Sequence, residues 1–307
     1  MLNHSPFAIR HSQVTHALAP CHSPAFLKSR HATTMNRIDQ RFADLRAAGR
    51  CGLIPFVTAG DPGAEATVPV MHALVEAGAD LIELGVPFSD PMADGPTIQR
   101  SSERALARGV GLRKVLSMVA EFRRTDATTP VVLMGYLNPL EIFGYERFAD
   151  AAHAAGVDGV LMVDSPVEEA GELTLLLARH GIEQIFLAAP TTADQRLAQV
   201  VERARGFLYY VSFAGITGAD RIAMGDVTDK VAAIRAATRT PVAVGFGVKA
   251  PEQAAGIARF ADAVVVGSAL VEHLAPHAEP AAAAAAARAF LGPLRAAIDA
   301  ARARSAA

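Results

Sequence analysis

A single carboxylate interrupts the apolar run Leu81-Ile82-Glu83-Leu84-Gly85-Val86-Pro87-Phe88. Read as a β-strand, the run alternates its side chains between two faces, so Glu83 stands opposite Ile82 and Leu84. Facing a closed interior, it is stripped of water. That favours the protonated acid and suits it to moving protons near neutral pH. A glutamate satisfied by backbone or by an arginine is the competing reading, because perturbed carboxylates mark sites only statistically. The residues that follow, Ser89-Asp90-Pro91-Met92-Ala93-Asp94-Gly95-Pro96-Thr97, form a long, acidic, proline-stiffened loop. Asp90, next to proline, reads as a turn former. Asp94 lies where the loop returns over the end of the strand, so two carboxylates in different surroundings face one substrate.

Glycine supplies the second chemical signal. Gly245-Phe246-Gly247 and Gly267-Ser268-Ala269 each end a short β-rich run. Backbone without side chains approaches an anion closely, and N–H groups backed by a helix N-terminus favour a phosphate. Either cluster alone is an ordinary turn; the pair after the last two strands is more specific. Ala214-Gly215-Ile216-Thr217-Gly218-Ala219 adds a glycine-rich loop suited to a lid over the same pocket.

Other chemistries lack their residues. A Schiff-base lysine belongs at a strand end, but Lys28, Lys114 and Lys230 fall in the tail or in helical stretches, and Lys249 comes too late after its strand. The histidines from His72 to His277 lie in helical segments rather than clustered at strand ends, so no metal site is expected. Cys21 and Cys51 can form neither a disulfide framework nor a four-cysteine zinc site.

These groups need a scaffold. Eight β-rich runs are legible: Gly52 to Thr58, Asp80 to Gly85, Val131 to Tyr136, Gly159 to Asp164, Gln184 to Leu187, Phe207 to Ser212, Pro241 to Gly245 and Ala263 to Gly267. Between them, segments such as Thr67 to Glu76, Leu112 to Arg123, Tyr145 to Ala155, Glu168 to His180 and Thr228 to Ala237 carry apolar residues at three- and four-residue spacing. Ala77-Gly78-Ala79-Asp80, Ala155-Gly156-Val157-Asp158 and His180-Gly181-Ile182-Glu183 repeat one device, a glycine closing a helix and an acid opening a strand. An open doubly wound sheet shares this local grammar, but the count favours a closed (β/α)8 TIM barrel with extra helices. Reactive groups then belong at the strand ends, and phosphate sites belong after strands seven and eight. The Ala-rich stretch from Ala281 to Ala301 predicts a helix that Gly292-Pro293 bends or splits.

The first 34 residues differ from the rest. They hold five of the ten histidines, three basic residues and no Asp or Glu. They read as a disordered N-terminal extension, a transit peptide or a mis-assigned start, leaving residues 35–307 as the catalytic barrel domain. Apolar residues make up 51% of the chain, which excludes bulk disorder, and their runs are too short and interrupted to predict a membrane span. A net charge of −2 gives no footprint for nucleic acid.

The stretch from Glu83 to Gln99, together with Pro55-Phe56-Val57-Thr58-Ala59-Gly60-Asp61-Pro62 and Gly215-Ile216-Thr217-Gly218, closely resembles the α subunit of tryptophan synthase. The likeness runs on through Asp164 to Glu169 and both glycine turns, from about Met35 to the C-terminus. It implies a cytoplasmic lyase that splits indole-3-glycerol phosphate into indole and glyceraldehyde 3-phosphate. Glu83 would be its acid/base, and Asp94 would stabilise the charged indole nitrogen. It further implies that Gly218, Phe246, Gly247, Gly267 and Ser268 bind the phosphate. Phe56, Ile98, Leu133, Leu161 and Tyr209 would enclose the indole, with Thr217 near Asp94. For Phe56, Ile98, Leu133 and Leu161, barrel core is a nearly equal alternative, and Tyr209 differs from Tyr210 only by strand face. Phe213 stands where some members have arginine, and Met134 to Pro139 follows an Asn-Pro variant of the third loop. No cofactor is implied on this chain. The implied partner is a pyridoxal phosphate-bearing β subunit in an α2β2 heterotetramer, met by the loops around Asp90 and from Tyr136 to Ile142. A stand-alone lyase, a silent barrel kept as an activator and another phosphate-binding barrel enzyme remain as alternatives.

Overall fold

Left-handed glycines mark the repeat. Gly78, Gly156 and Gly181, the three that the sequence singles out, have φ of 99°, 85° and 69°, angles that a side chain resists. In the computed structural model, residues 35–211, 224–245 and 247–306 are described. The proposed extension and lid, with Thr217, Gly218 and Phe246, lie outside them. The strands are β1 (Gly52–Thr58), β2 (Ile82–Gly85), β3 (Val131–Gly135), β4 (Gly159–Met162), β5 (Glu183–Gln184), β6 (Phe186–Ala188), β7 (Leu208–Val211), β8 (Val242–Gly245) and β9 (Ala263–Val266). The helices are α1 (Arg37–Ala47), α2 (Thr67–Glu76), α3 (Pro96–Ala107), α4 (Leu112–Phe122), α5 (Leu137–Phe143), α6 (Tyr145–Ala155), α7 (Gly171–Arg179), α8 (Asp194–Arg203), α9 (Met224–Ala237), α10 (Pro251–Ala258), α11 (Ser268–Leu274) and α12 (Pro280–Ala306).

All pairings are parallel, in the order β5-β4-β3-β2-β1-β9-β8-β7-β6. The two ends of that order are consecutive in the chain. One extended segment, interrupted at Ile185, pairs with β4 through its first half and with β7 through its second. The ring therefore closes as an eight-membered (β/α)8 barrel whose fifth strand is split.

Strand alternation sorts the core into two layers. Leu53, Ile82, Leu84, Leu133, Val160, Tyr210 and Val264 pack outward in the cluster that includes the helices. Ile54, Val132, Leu161, Tyr209, Ala243 and Val265 pack inward, where Ile38, Phe42 and Leu45 of α1 join them. Asn36 caps α1, its side chain accepting the Ile38 N–H.

An aspartate ahead of a strand performs one task three times, at Asp80 and Asp158 of the repeat and at Asp262 outside it. Oδ2 of Asp80, Asp158 and Asp262 accepts the N–H of Leu53, Val131 and Val242, each at 2.9 Å. Each carboxylate therefore fastens the strand before its own, and Arg295, Arg123 and Arg235 respectively neutralise the three. α12 is not split. It runs through Pro293, and the loss of one backbone hydrogen bond is outweighed by burial of Leu291, Leu294 and Ile298. Its Pro280–Ala303 stretch is long and apolar enough to cross a membrane, a length the interrupted sequence pattern does not predict. It lies instead against α2 and α10, with Arg295 anchored on the Cys51 carbonyl and Asp80.

Candidate active site at the C-terminal ends of the strands

Glu83 sits at the centre of β2, in register with Phe56 of β1 and Val132 of β3. Because Ile82 and Leu84 pack outward, its carboxyl points into the barrel. It is 1% exposed, and neither oxygen has a hydrogen-bond partner among the described residues. Among those residues, neither an arginine nor the backbone satisfies it. Burial, reinforced by the negative charge of Asp94, pushes its pKa up to about 8. The resting side chain is therefore a neutral acid at neutral pH.

Asp94 hangs over it from the β2–α3 loop. Gly95 and Pro96 start α3, with proline in the first turn, where its missing N–H is no loss. Gln99 donates to the carbonyls of Asp94 and Pro91, tying the loop's return to the helix. Asp94 is half-buried, and burial raises its carboxyl to about 6 against the opposing effect of the Tyr136 hydroxyl that donates to it. Two ties hold α3 to the end of β1. The Thr58 and Ser101 hydroxyls are 2.6 Å apart, and Arg104 grips buried Asp61 with two bonds of 2.7 Å.

A narrow cleft lies at the C-terminal ends of β1 to β4, with Phe56, Asp94, Ile98, Met134, Tyr136 and Val163 among its walls. Glycines make room for aromatic rings inside the barrel. A Cβ on Gly85 would stand 2.6 Å from the Phe56 ring, and one on Gly245 would stand 2.5 Å from the Tyr209 hydroxyl. Tyr209 faces inward and Tyr210 outward, which resolves the choice between them. The hydroxyl of Tyr209 is raised well above the usual phenol range by burial and then by Glu83 and Asp94. Leu161 also points inward, within the layer that holds Tyr209.

Leu133 is a correction. It packs in the outer layer, and its neighbour Met134 lines the cleft. A one-residue shift reverses strand face, and an uninterrupted apolar strand gives no alternation from which to read it. Tyr136, expected at a partner-facing loop, is instead 4% exposed and hydrogen-bonded to Asp94. Its place at the C-terminal end of a strand was the available clue.

On the far side, Gly267 lies against Phe56. Ser268 opens α11 and is exposed, so the unpaired N–H groups of a first turn lie next to the cleft wall. Gly247 is exposed, with φ 56° and open space where a Cβ would stand. Among the described residues, no three His, Cys, Asp or Glu side chains converge to hold a metal ion.

A parallel barrel that buries an acid with no partner among the described residues, next to a second carboxylate at the end where the strands terminate, defines a proton-transferring (β/α)8 enzyme. Residues 42–299 match the family model of the tryptophan synthase alpha chain. The tryptophan synthase alpha chain of Xanthomonas euvesicatoria pv. vesicatoria is 62% identical over 266 residues, covering 86% of this chain and 99% of that one. That of Methylococcus capsulatus is 61% identical over 241 residues, or 78% and 90% of the two chains. The solved tryptophan synthase subunit alpha of Legionella pneumophila superposes with a TM-score of 0.80 at 45% identity, covering 87% of this chain and 99% of that one. The chain belongs to the tryptophan synthase alpha chain family.

Proposed function

We infer that this chain is the lyase subunit of tryptophan synthase, cleaving indole-3-glycerol phosphate to indole and glyceraldehyde 3-phosphate in L-tryptophan biosynthesis. The observation that carries the residue assignment is Glu83, a buried acid whose oxygens are both unpaired among the described residues. Neutral Glu83 delivers its proton to indole C3, turning the ring nitrogen into a cationic centre. Ionised Asp94 accepts that N–H and stabilises the charge. The carbon–carbon bond then breaks, its electrons neutralising the ring. The hydroxyl beside it gives its proton to the Glu83 carboxylate as the aldehyde forms, which restores the starting acid. The net result is one proton moved from hydroxyl to carbon, with no cofactor required on this chain.

Gly247, Gly267 and Ser268, with Gly218 and Phe246, bind the phosphate through backbone N–H groups. The N-terminus of α11 beside the cleft supports this. Phe56, Ile98, Leu161 and Tyr209 enclose the indole, with Met134 in the place first given to Leu133 and with Thr217 near Asp94. Residues 35–307 form the catalytic domain and residues 1–34 an extension. The enzyme works in the cytoplasm as an α2β2 heterotetramer, passing indole to a β subunit that carries pyridoxal phosphate. Exposed Asp90, Met92 and Ile142 support docking of that partner on the β2–α3 loop and α5. A groove between these elements, lined by Phe88, Asn138, Pro139 and Ile142, offers it a seat.

The test is indole release by the purified chain, with and without a β subunit. Activity that rises on mixing and disappears in Glu83→Gln is the expected result, and undiminished turnover in that variant would assign the proton to another group.

A further inference from the structure

The β2–α3 loop is held at both ends by one side chain. The Tyr136 ring, at the end of β3, stacks on Phe88 near the start of the loop, with centroids 5.2 Å apart. Its hydroxyl accepts the N–H of Ala93 at 3.0 Å and donates to Asp94 Oδ2 at 3.1 Å, near the end of the loop. The residue is buried although the loop above it is exposed.

We propose that Tyr136 is a positioning residue for Asp94, a prop whose ring carries the loop and whose hydroxyl aims the carboxylate over Glu83. The proposal rests on the assignment of Asp94 as the group that receives the indole N–H. An O–H has one proton to give. Since the Ala93 N–H occupies an acceptor site on the hydroxyl, its proton is directed at Asp94 and fixes the orientation of the carboxylate. Three further ionisable groups bear on the pair. Glu83 from β2 and Tyr209 from β7 couple to Asp94, and Asp164, after β4, acts on Tyr136. From α3, Gln99 reaches only the Asp94 carbonyl. Among the described residues, the Tyr136 hydroxyl is thus the side-chain donor that favours the charged form of Asp94.

Tyr136→Phe keeps the ring and removes the hydroxyl. Two readouts apply to the full chain: carboxyl-carbon NMR titration of Asp94 without substrate, and the pH profile of indole release. The expected result is a titration midpoint above the parent's value of about 6, with the acidic limb of kcat/KM displaced in the same direction. At neutral pH, kcat falls about tenfold with KM little changed, because a hydrogen bond to a charged group is lost where charge develops. Phe88→Ala, which removes the stack instead, moves the titration in the same direction by less. Coincident titrations and limbs for parent and both variants would overturn the proposal. Full indole release by Asp94→Asn would instead overturn the assignment beneath it, a separate outcome, because the NMR readout needs no turnover.

Discussion

Asp80 and Glu83 stand three positions apart, one just ahead of β2 and one within it, and both are almost wholly buried. Desolvation raises both carboxyls. At the strand's entrance, Asp80 meets Arg295 at 3.1 Å, Arg41 at 3.8 Å and the Leu53 N–H. Within the strand, Glu83 has no hydrogen bond among the described residues. The same residue class, equally buried, is a fastener where an N–H and arginines meet it and a reagent where no described group does. What separates structure from chemistry in this barrel is the supply of partners, not depth.

The sharpest way to break that contrast is Glu83→Gln. Turnover should fall about 10³-fold, within the range for loss of general acid–base catalysis, while the protein becomes more stable. The folded-state pKa of Glu83, about 8, lies above its ordinary 4.5. The unfolded chain releases its proton first, and stability declines as pH rises between those values. Melting at pH 8 should therefore show Gln ahead by about 4 kcal/mol, with the gain gone at pH 4. A slow variant without that gain would mean that Glu83 is paired in the fold.

Asp80→Asn should do the reverse, losing about 2 kcal/mol because Arg295 loses its buried carboxylate partner and keeps only the more exposed Asp299. Its kcat per folded molecule should be unchanged, which urea melts read alongside indole release can check. The contrast repeats across the β3 sheet. Leu133→Ala should destabilise by about 2 kcal/mol with KM unaltered. Met134→Ala, on the inner face, should raise KM several-fold at smaller stability loss; exchanged effects would reverse the assigned strand faces. The mildest test is pH. With Asp94 active when ionised and Glu83 active when protonated, kcat/KM should fall below about pH 6 and above about pH 8. A single descending limb would separate the two carboxyls.

Much of this was legible from residue types. Glu83 stood out because a charged group in an apolar strand has few structural uses, and Gly78, Gly156 and Gly181 because sharp turns require them. β1, α2 and α6 match their predicted limits residue for residue. The face of Leu133 was not legible, since strands covered on both sides lose alternation. Nor were α3, α5, α8, α10 and α11 set out as helices. Pro96 and Asn138-Pro139 read as loop, although proline is at home in a first turn. Tyr136 was named for the wrong surface because its role depends on a hydrogen bond 42 residues back in the chain. Nothing local encodes that bond.

The Arg295–Asp80 pair also joins residues 215 positions apart. A growing polypeptide exposes Asp80 long before its counter-ion has been made, and Gly78 must stay bare of a side chain because the Arg295 stem later lies where its Cβ would be. The entrance of β2 is thus sealed from the far end of the message. A ribosome stalled before codon 295 would hold a nearly complete ring whose second stave has no lock.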